Sequence, residues 1–199
     1  MKKVLFIVIL LMFSTLIFAQ SLDGFLGLRF GTTADSVKKI MLAKPGCKLG
    51  VKSTKDVLMF TDCKFAGRGA TLIVFRFINN KFHTGRVFLS PSLDSKIVEL
   101  FNTVKGELNE RYYTTTQDYE RYDYPYEKGD GYYESAIKLG KAHFSAYWDF
   151  TNPKSENKED NNIISLEIDE DMYVIIGYQD GALIKEAVEA QKSKDYKDY

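Results

Sequence analysis

Residues 69–111 constrain the fold more than any other stretch. GATLIVFRFINNKFHTGRVFLS runs directly into PSLDSKIVELFNTVKGELNER. Ile73, Phe75 and Phe77 alternate with Leu72, Val74, Arg76 and Ile78, the period of a β-strand. Both faces of that strand are largely apolar, which predicts a place inside a sheet rather than at its edge. Asn79-Asn80 supplies residues that tolerate the positive φ angles of a tight hairpin turn, and Phe82 to Leu89 forms the returning strand. In the following helix Leu93, Ile97, Leu100, Phe101, Val104 and Leu108 recur at steps of three and four, one apolar stripe facing a core. Ser92 or Asp94 is placed to cap its start, and Gly106 weakens its interior slightly. A strand pair with a helix to cover it is the smallest unit able to bury an apolar face.

The chain of 199 residues is 45% hydrophobic and 14% aromatic, enough for one β-rich core. It opens MKKVLFIVILLMFSTLIFAQ, with Lys2 and Lys3 ahead of the apolar run Val4 to Phe18 and the small residue Ala19 before Gln20. This order predicts a signal peptide over residues 1–19, cleaved after Ala19. The run of fifteen residues, Ser14 and Thr15 included, is short of the ~20 that span a bilayer. No cysteine near the cleavage region offers a site for a lipid anchor, and no second apolar run of that length follows. The mature chain is therefore expected to be periplasmic or extracellular, without a transmembrane anchor. Loss of the leader leaves 25 bases against 27 acids, a balance that argues against nucleic acid or an anionic membrane as partner. Oligomeric state is not legible. In an oxidising compartment the only two cysteines, Cys47 and Cys63, are expected to form a disulfide, the alternative being two buried thiols.

In chain order, Thr32 with Asp35 three residues later resembles a capping box, followed by Val37, Ile40 and Met41 on one helical face and a stop at Pro45-Gly46. Asp56 to Asp62 reads as a strand, and Ala66 to Gly69 as the turn into the central hairpin. Residues 112–133 change character, holding eight of the thirteen tyrosines. Glu134 to Leu139 is a short helix or a strand. Ala142, Phe144, Ala146, Trp148 and Phe150 alternate with His143, Ser145, Tyr147 and Asp149 as a half-buried strand. After a polar loop at 151–162, Ile164, Leu166 and Ile168 form a strand. Asp169 to Asp171 turns it back into Met172, Val174, Ile176 and Tyr178. Asp180 begins a last helix with Leu183, Ile184, Ala187 and Val188 inward, and residues 192–199 are expected to be a flexible tail.

This order predicts a single α+β domain over residues 20–191, with an antiparallel sheet of about six strands built from two helix-plus-three-strand repeats. The repeats fall at about 22–91 and 92–180, with the helices mainly on one face and one helix at the C-terminus.

FLGLRFGTTADSVKKIM, DCKFAGRGATLIVFRFINNKF and NIISLEIDEDMYVIIGYQD together resemble a family of small exported proteins of Gram-negative bacteria of uncharacterised function. More distantly, GTTADSVKKIM and the helix-then-meander order are similar to the β-lactamase-inhibitor-like and outer-membrane-assembly-lipoprotein folds. That second likeness implies a protein-binding module, although the lipid-bearing cysteine of the lipoproteins is missing. Neither resemblance supplies catalytic, cofactor or metal residues.

Chemistry is sparse in the sequence. His83 and His143 are the only histidines, and His143 lies on the polar side of its strand. Nucleophile-elbow, zinc-protease and phosphate-loop patterns are absent, and no cofactor or metal is expected. Asp118, Glu120, Asp123 and Asp169 to Asp171 lack the spacing of a calcium loop. What composition singles out is the tyrosine-rich segment: Tyr119, Tyr122, Tyr124 and Tyr126 interleaved with Asp118, Glu120 and Asp123. It is read either as an exposed recognition loop or as a lid of rings over the sheet. The expected function is an exported, non-enzymatic binding module of the cell envelope, with a protein or a glycan as partner. The alternative is a glycan-directed hydrolase using a carboxylate pair assembled by the fold.

Overall fold

The structure, a computed structural model, describes residues 21–152, 157 and 160–195. The signal peptide expected over residues 1–19 lies outside them, as does most of the polar loop before residue 160. Two short strands, β1 (Gly24–Phe25) and β2 (Leu28–Arg29), lead into helix α1 (Ala34–Leu42). Strands β3 (Lys48–Leu49) and β4 (Val57–Thr61) follow, then the ribbon of β5 (Cys63–Phe65) and β6 (Arg68–Ala70). The hairpin of β7 (Leu72–Ile78) and β8 (Lys81–Leu89) comes next, and helix α2 (Ile97–Arg111) after one 3-10 turn at Asp94–Lys96. The second half comprises β9 (Gln117–Tyr122), the short helix α3 (Tyr133–Lys138), β10 (Ala142–Phe150), β11 (Asn162–Ile168), β12 (Val174–Gln179) and helix α4 (Gly181–Asp195).

The fold is α+β, with one antiparallel sheet of eight strands rather than six, in the order β3-β4-β7-β8-β12-β11-β10-β9. Two strands beyond the expected six lie at its edges, and each lacks the usual signal for a physical reason. At two residues β3 is too short to alternate. In β9, QDYERY carries no apolar alternation, because an edge strand half open to water tolerates charge. Last, the C-terminal helix runs on to Asp195, into the stretch expected to be a tail.

Register assigns every strand residue to a face. The front face carries Phe60, Ile73, Phe75, Val87, Ile176, Leu166 and Trp148, all fully buried. Val37 and Met41 of α1, Ile97, Phe101, Val104 and Leu108 of α2, and Ala136 and Ile137 of α3 join that same cluster. Three helices thus cover the front, and α4 lies beside β7, β8 and β11, with Leu183 against the core. Phe25, from the β1–β2 turn, closes the middle. A Cβ on Gly85 would sit 2.3 Å from its ring, so only glycine admits it. Phe25 also stacks on Tyr178 at 4.8 Å.

The Asn79-Asn80 turn has positive φ at both residues, as its composition predicts. The helix starts differ from expectation. No side chain caps α1 from within its own sequence; Ala34 N–H donates instead to Asn80 Oδ1 of the hairpin turn at 3.0 Å. Neither Ser92 nor Asp94 caps α2, and Leu93 is exposed ahead of it. On α1, Ile40 also faces solvent.

Cys47 and Cys63 are joined, tying the chain after α1 to the start of β5. Arg68 on β6 forks onto Glu107 of α2, Nη1 donating to Oε2 at 2.8 Å and Nη2 to Oε1. Both crosslinks hold the β5–β6 ribbon against the front of the molecule. Among the described residues no helix is long and apolar enough to cross a membrane.

Phe101 is 1% exposed and meets Phe144 edge-on at 6.0 Å, which makes it the test of how α2 docks. Phe101→Ala is expected to cost ~3–5 kcal/mol through lost apolar contact and the cavity left behind. The denaturant midpoint measures it, and a midpoint equal to that of the wild type would contradict the burial of this helix.

Candidate functional site

The tyrosine-rich segment is not one loop. Residues 117–122 are edge strand β9, paired to β10 with Tyr119 opposite Ser145 and Arg121 opposite His143. The strand's alternation divides the tyrosines. Tyr122 points to the front and packs edge-on against Phe144 at 5.9 Å. Tyr112, Tyr126 and Tyr133 also rest against the core cluster, Tyr133 donating its hydroxyl to the Ser95 carbonyl at 2.8 Å. Tyr119, Tyr124 and Tyr132 are turned outward, with Tyr124 91% exposed. Part of the segment is a lid and part is open surface.

Three of its five carboxylates face basic side chains. Asp118 meets Lys105 of α2 at 2.7 Å, Glu120 meets Lys128 at 2.5 Å, and Asp123 lies 3.5 Å from Arg121 and 3.4 Å from His143. Asp118 and Glu120 stand on the front side of β9, while Asp123 is with the back-face pair Arg121 and His143. A glycosidase needs two carboxylates converging across a cleft. This arrangement gives that reading no support.

The back face of the sheet is the larger feature. Val74 and Ile175 are buried there, apart from the main core cluster. Over β9, β10 and β11 the face opens: Tyr119 is 55% exposed, and Arg121, His143 and Asp149 are exposed. Register sets Tyr119, Ser145 and Glu167 in one cross-strand row, and Gln117, Tyr147, Ser165, Gly177 and Arg86 in the next. Tyr119 meets Tyr147 edge-on at 6.2 Å, and Phe88 meets Tyr173 edge-on at 6.0 Å. Between these two aromatic pairs lie the small residues Ser145, Ser165 and Gly177, with Glu167 and Ile175 in the neighbouring row. A Cβ on Gly177 would fall 2.5 Å from Ser165 Oγ.

Polar bonds fix the rim. Gln117 Nε2 donates to Asp149 Oδ2, Tyr113 donates its hydroxyl to the Asp149 carbonyl at 3.0 Å, and Asp149 N–H donates back to Tyr113 Oη at 2.7 Å. Beneath them, buried Trp148 donates Nε1–H to the Tyr113 carbonyl at 2.9 Å and to Asn109 Oδ1 at 3.2 Å. The rim is thereby anchored to the end of α2. Sequence reasoning singled out Tyr119 and passed over Tyr147, Ser165, Gly177 and Arg86. For Tyr147 the signal was present in the alternation of residues 142–150; for the others it needs the strand order.

Of the two histidines, His143 joins this face. His83 is half-buried beside Thr84, its Nδ1 2.8 Å from Thr84 Oγ1, and burial with the nearby Arg76 charge holds it below the usual histidine range. Asp169 serves its turn, accepting the Tyr173 N–H at 2.8 Å, and burial raises its carboxyl above the ordinary value.

Tyr122 offers a direct check on the division of the tyrosines. Burial, then the adjacent Glu120 carboxylate that accepts its hydroxyl at 3.2 Å, push its pKa up to about 12. A folded pKa above the unfolded value of about 10 gives a contribution to stability that is complete below pH ~10 and is lost as pH rises through the folded value. Absorbance titration of Tyr122→Phe against wild type is expected to show the missing ring titrating near the upper value. A difference curve centred on the ordinary tyrosine value would place Tyr122 in free solvent.

Compared with known proteins, the chain matches no family model, no curated protein and no solved structure.

Proposed function

We propose that the chain is an exported, non-enzymatic binding module of the cell envelope that docks a folded protein partner on the open face of its sheet. The observation that carries this reading is the back face over β9–β11. It sets two edge-on tyrosines, Tyr119 and Tyr147, among Arg121, His143, Asp149 and Glu167. Tyrosine and arginine are the side chains that most often anchor protein interfaces, because they offer large contact area and a polar tip at little entropic cost. A broad face of this kind suits a protein surface better than a small substrate, which is bound in a concave pocket.

Export is supported by the leader, with its two lysines, short apolar run and Ala19, and by the Cys47–Cys63 bond, which persists in oxidising compartments. The likeness of GTTADSVKKIM to protein-binding modules of the inhibitor and assembly-lipoprotein kind points the same way.

Affinity capture from envelope extract tests the reading with two double variants. Tyr119→Ala with Tyr147→Ala is expected to weaken retention of the partner about tenfold or more, the loss typical of an interface anchor, with the thermal midpoint little changed. Tyr124→Ser with Tyr132→Ser, in the loop beyond β9, is expected to leave retention intact. The reverse pattern would move recognition to that loop and overturn the assignment to the sheet face.

A further inference from the structure

Charge is divided across the fold in a way that the totals hide. Without the leader the chain sums to 25 bases against 27 acids. Residues 38–64 nevertheless hold seven lysines and no arginine against two acids, Asp56 and Asp62, with Asp35 just ahead. Of those seven lysines only Lys48 is matched, to Asp62 at 3.0 Å. Later in the chain the pattern reverses. Among the described lysines from Lys81 to Lys185, all but Lys141 face a carboxylate.

The topology gathers the unmatched lysines at one end of the molecule. Strands β3 and β9 are the two edges of the eight-stranded sheet, seven strand spacings or about 33 Å apart. Helix α1 packs beside β3 and β4, and the Cys47–Cys63 bond fastens the chain after α1 to the end of β4. The β3 edge is therefore basic, while the β9 edge carries Asp118 and Glu120. The open face over β9–β11 lies toward the acidic edge, away from these lysines.

Exposed aliphatic side chains stand among the lysines. On α1, Leu42 follows Lys38 by one turn and shares its flank, and both are exposed. In the β3–β4 turn Val51 is fully exposed, with Lys52 and Lys55 exposed beside it. That turn is braced from within. Ser53 N–H donates to the Gly50 carbonyl at 3.1 Å, and Ser53 Oγ accepts the Met59 N–H at 3.0 Å. Val51 is thus held out from the fold rather than packed back onto it.

This combination selects among anionic partners. Nucleic-acid surfaces rely on arginine forks and stacking aromatic rings. Residues 38–64 have no arginine, and their one aromatic residue, Phe60, is fully buried. Lysines act as point charges toward anionic headgroups, and a projecting aliphatic side chain enters the acyl boundary beneath them.

We propose that the β3 edge, with α1 and the β3–β4 turn, is a peripheral contact surface for an anionic lipid bilayer, Lys38, Lys52 and Lys55 at the headgroups and Val51 inserted between them. Bound this way, the protein keeps its β9 edge away from the bilayer. The proposal neither requires the docking reading of the sheet face nor tests it.

Co-sedimentation of the purified exported chain with vesicles tests it, using phosphatidylcholine alone and phosphatidylcholine mixed with phosphatidylserine. Binding is expected to the mixed vesicles only, and to be lost in strong salt. Lys52→Gln with Lys55→Gln is expected to lower the partition about tenfold or more, and Val51→Ser to lower it with the charge unchanged. Lys141→Gln with Lys192→Gln removes the same charge from exposed lysines elsewhere and is expected to leave binding intact. Absence of binding, equal binding to uncharged vesicles, or an equal loss in the control pair would each overturn the proposal. So would salt-sensitive self-association without lipid that Lys52→Gln with Lys55→Gln abolishes, which would assign the basic edge to the acidic edge of a second copy. Thermal midpoints report the folding of each variant, and the two vesicle types on the wild-type chain decide where a variant unfolds.

Discussion

The pairing of β8 with β12 is the constraint on which the rest of the structure depends. The two strands end the two halves of the chain, and their antiparallel ladder runs from Val174 opposite Leu89 to Gln179 opposite Thr84. With them at the centre, β7, β4 and β3 must lie outward on one side and β11, β10 and β9 on the other. The same ladder puts Gly85 opposite Tyr178. That leaves beside the Tyr178 ring the gap that Phe25 fills, so the N-terminal hairpin is locked to the junction of the halves. A slip of β12 by one residue against β8 would set Ile175 rather than Ile176 beside Val87, turning the buried set of β12 to the back while that of β8 stayed in front. The two halves could then no longer share one buried face.

From this central ladder follow both the edges and the faces. The edges fall to a strand of two residues, β3, and to β9 with its three charged side chains, two ways of discouraging pairing with another sheet. The helices of both halves arrive on the front. Their apolar stripes therefore merge into one cluster, and the back face over β9–β11 is left to polar and aromatic side chains. A module of this form separates its tasks: the front supplies stability, while the back offers a broad surface. Trp148 and Tyr113 join the two sides, since the buried indole N–H and the phenol together hold the rim of the back face to the end of α2.

Much of this was legible from side-chain period. The six apolar strands, the Asn79-Asn80 turn, the Cys47–Cys63 bond and the inward stripe of α2 all rest on local pattern, and the structure contains each of them. What escaped depends on partners distant in sequence. Strand β9 exists because β10 offers it a ladder, not because QDYERY favours extension on its own. The start of α1 is satisfied by Asn80, forty-six residues away, where a local capping box was expected. The tyrosines of residues 112–133 could not be sorted into lid and surface without knowing which face of β9 turns toward α2. That Ser145, Ser165 and Gly177 are neighbours on one face requires the order of three strands before it can be seen at all.

Site-specific photocrosslinking in the living cell tests the central claim most directly. A benzophenone side chain is placed at position 119 or 145 on the open sheet face, and at position 40 or 42 on the exposed side of α1. The expected result is a discrete protein adduct from the sheet-face positions and none from α1. Adducts formed only from α1, or none from the sheet face while the partner is still captured, would contradict the account.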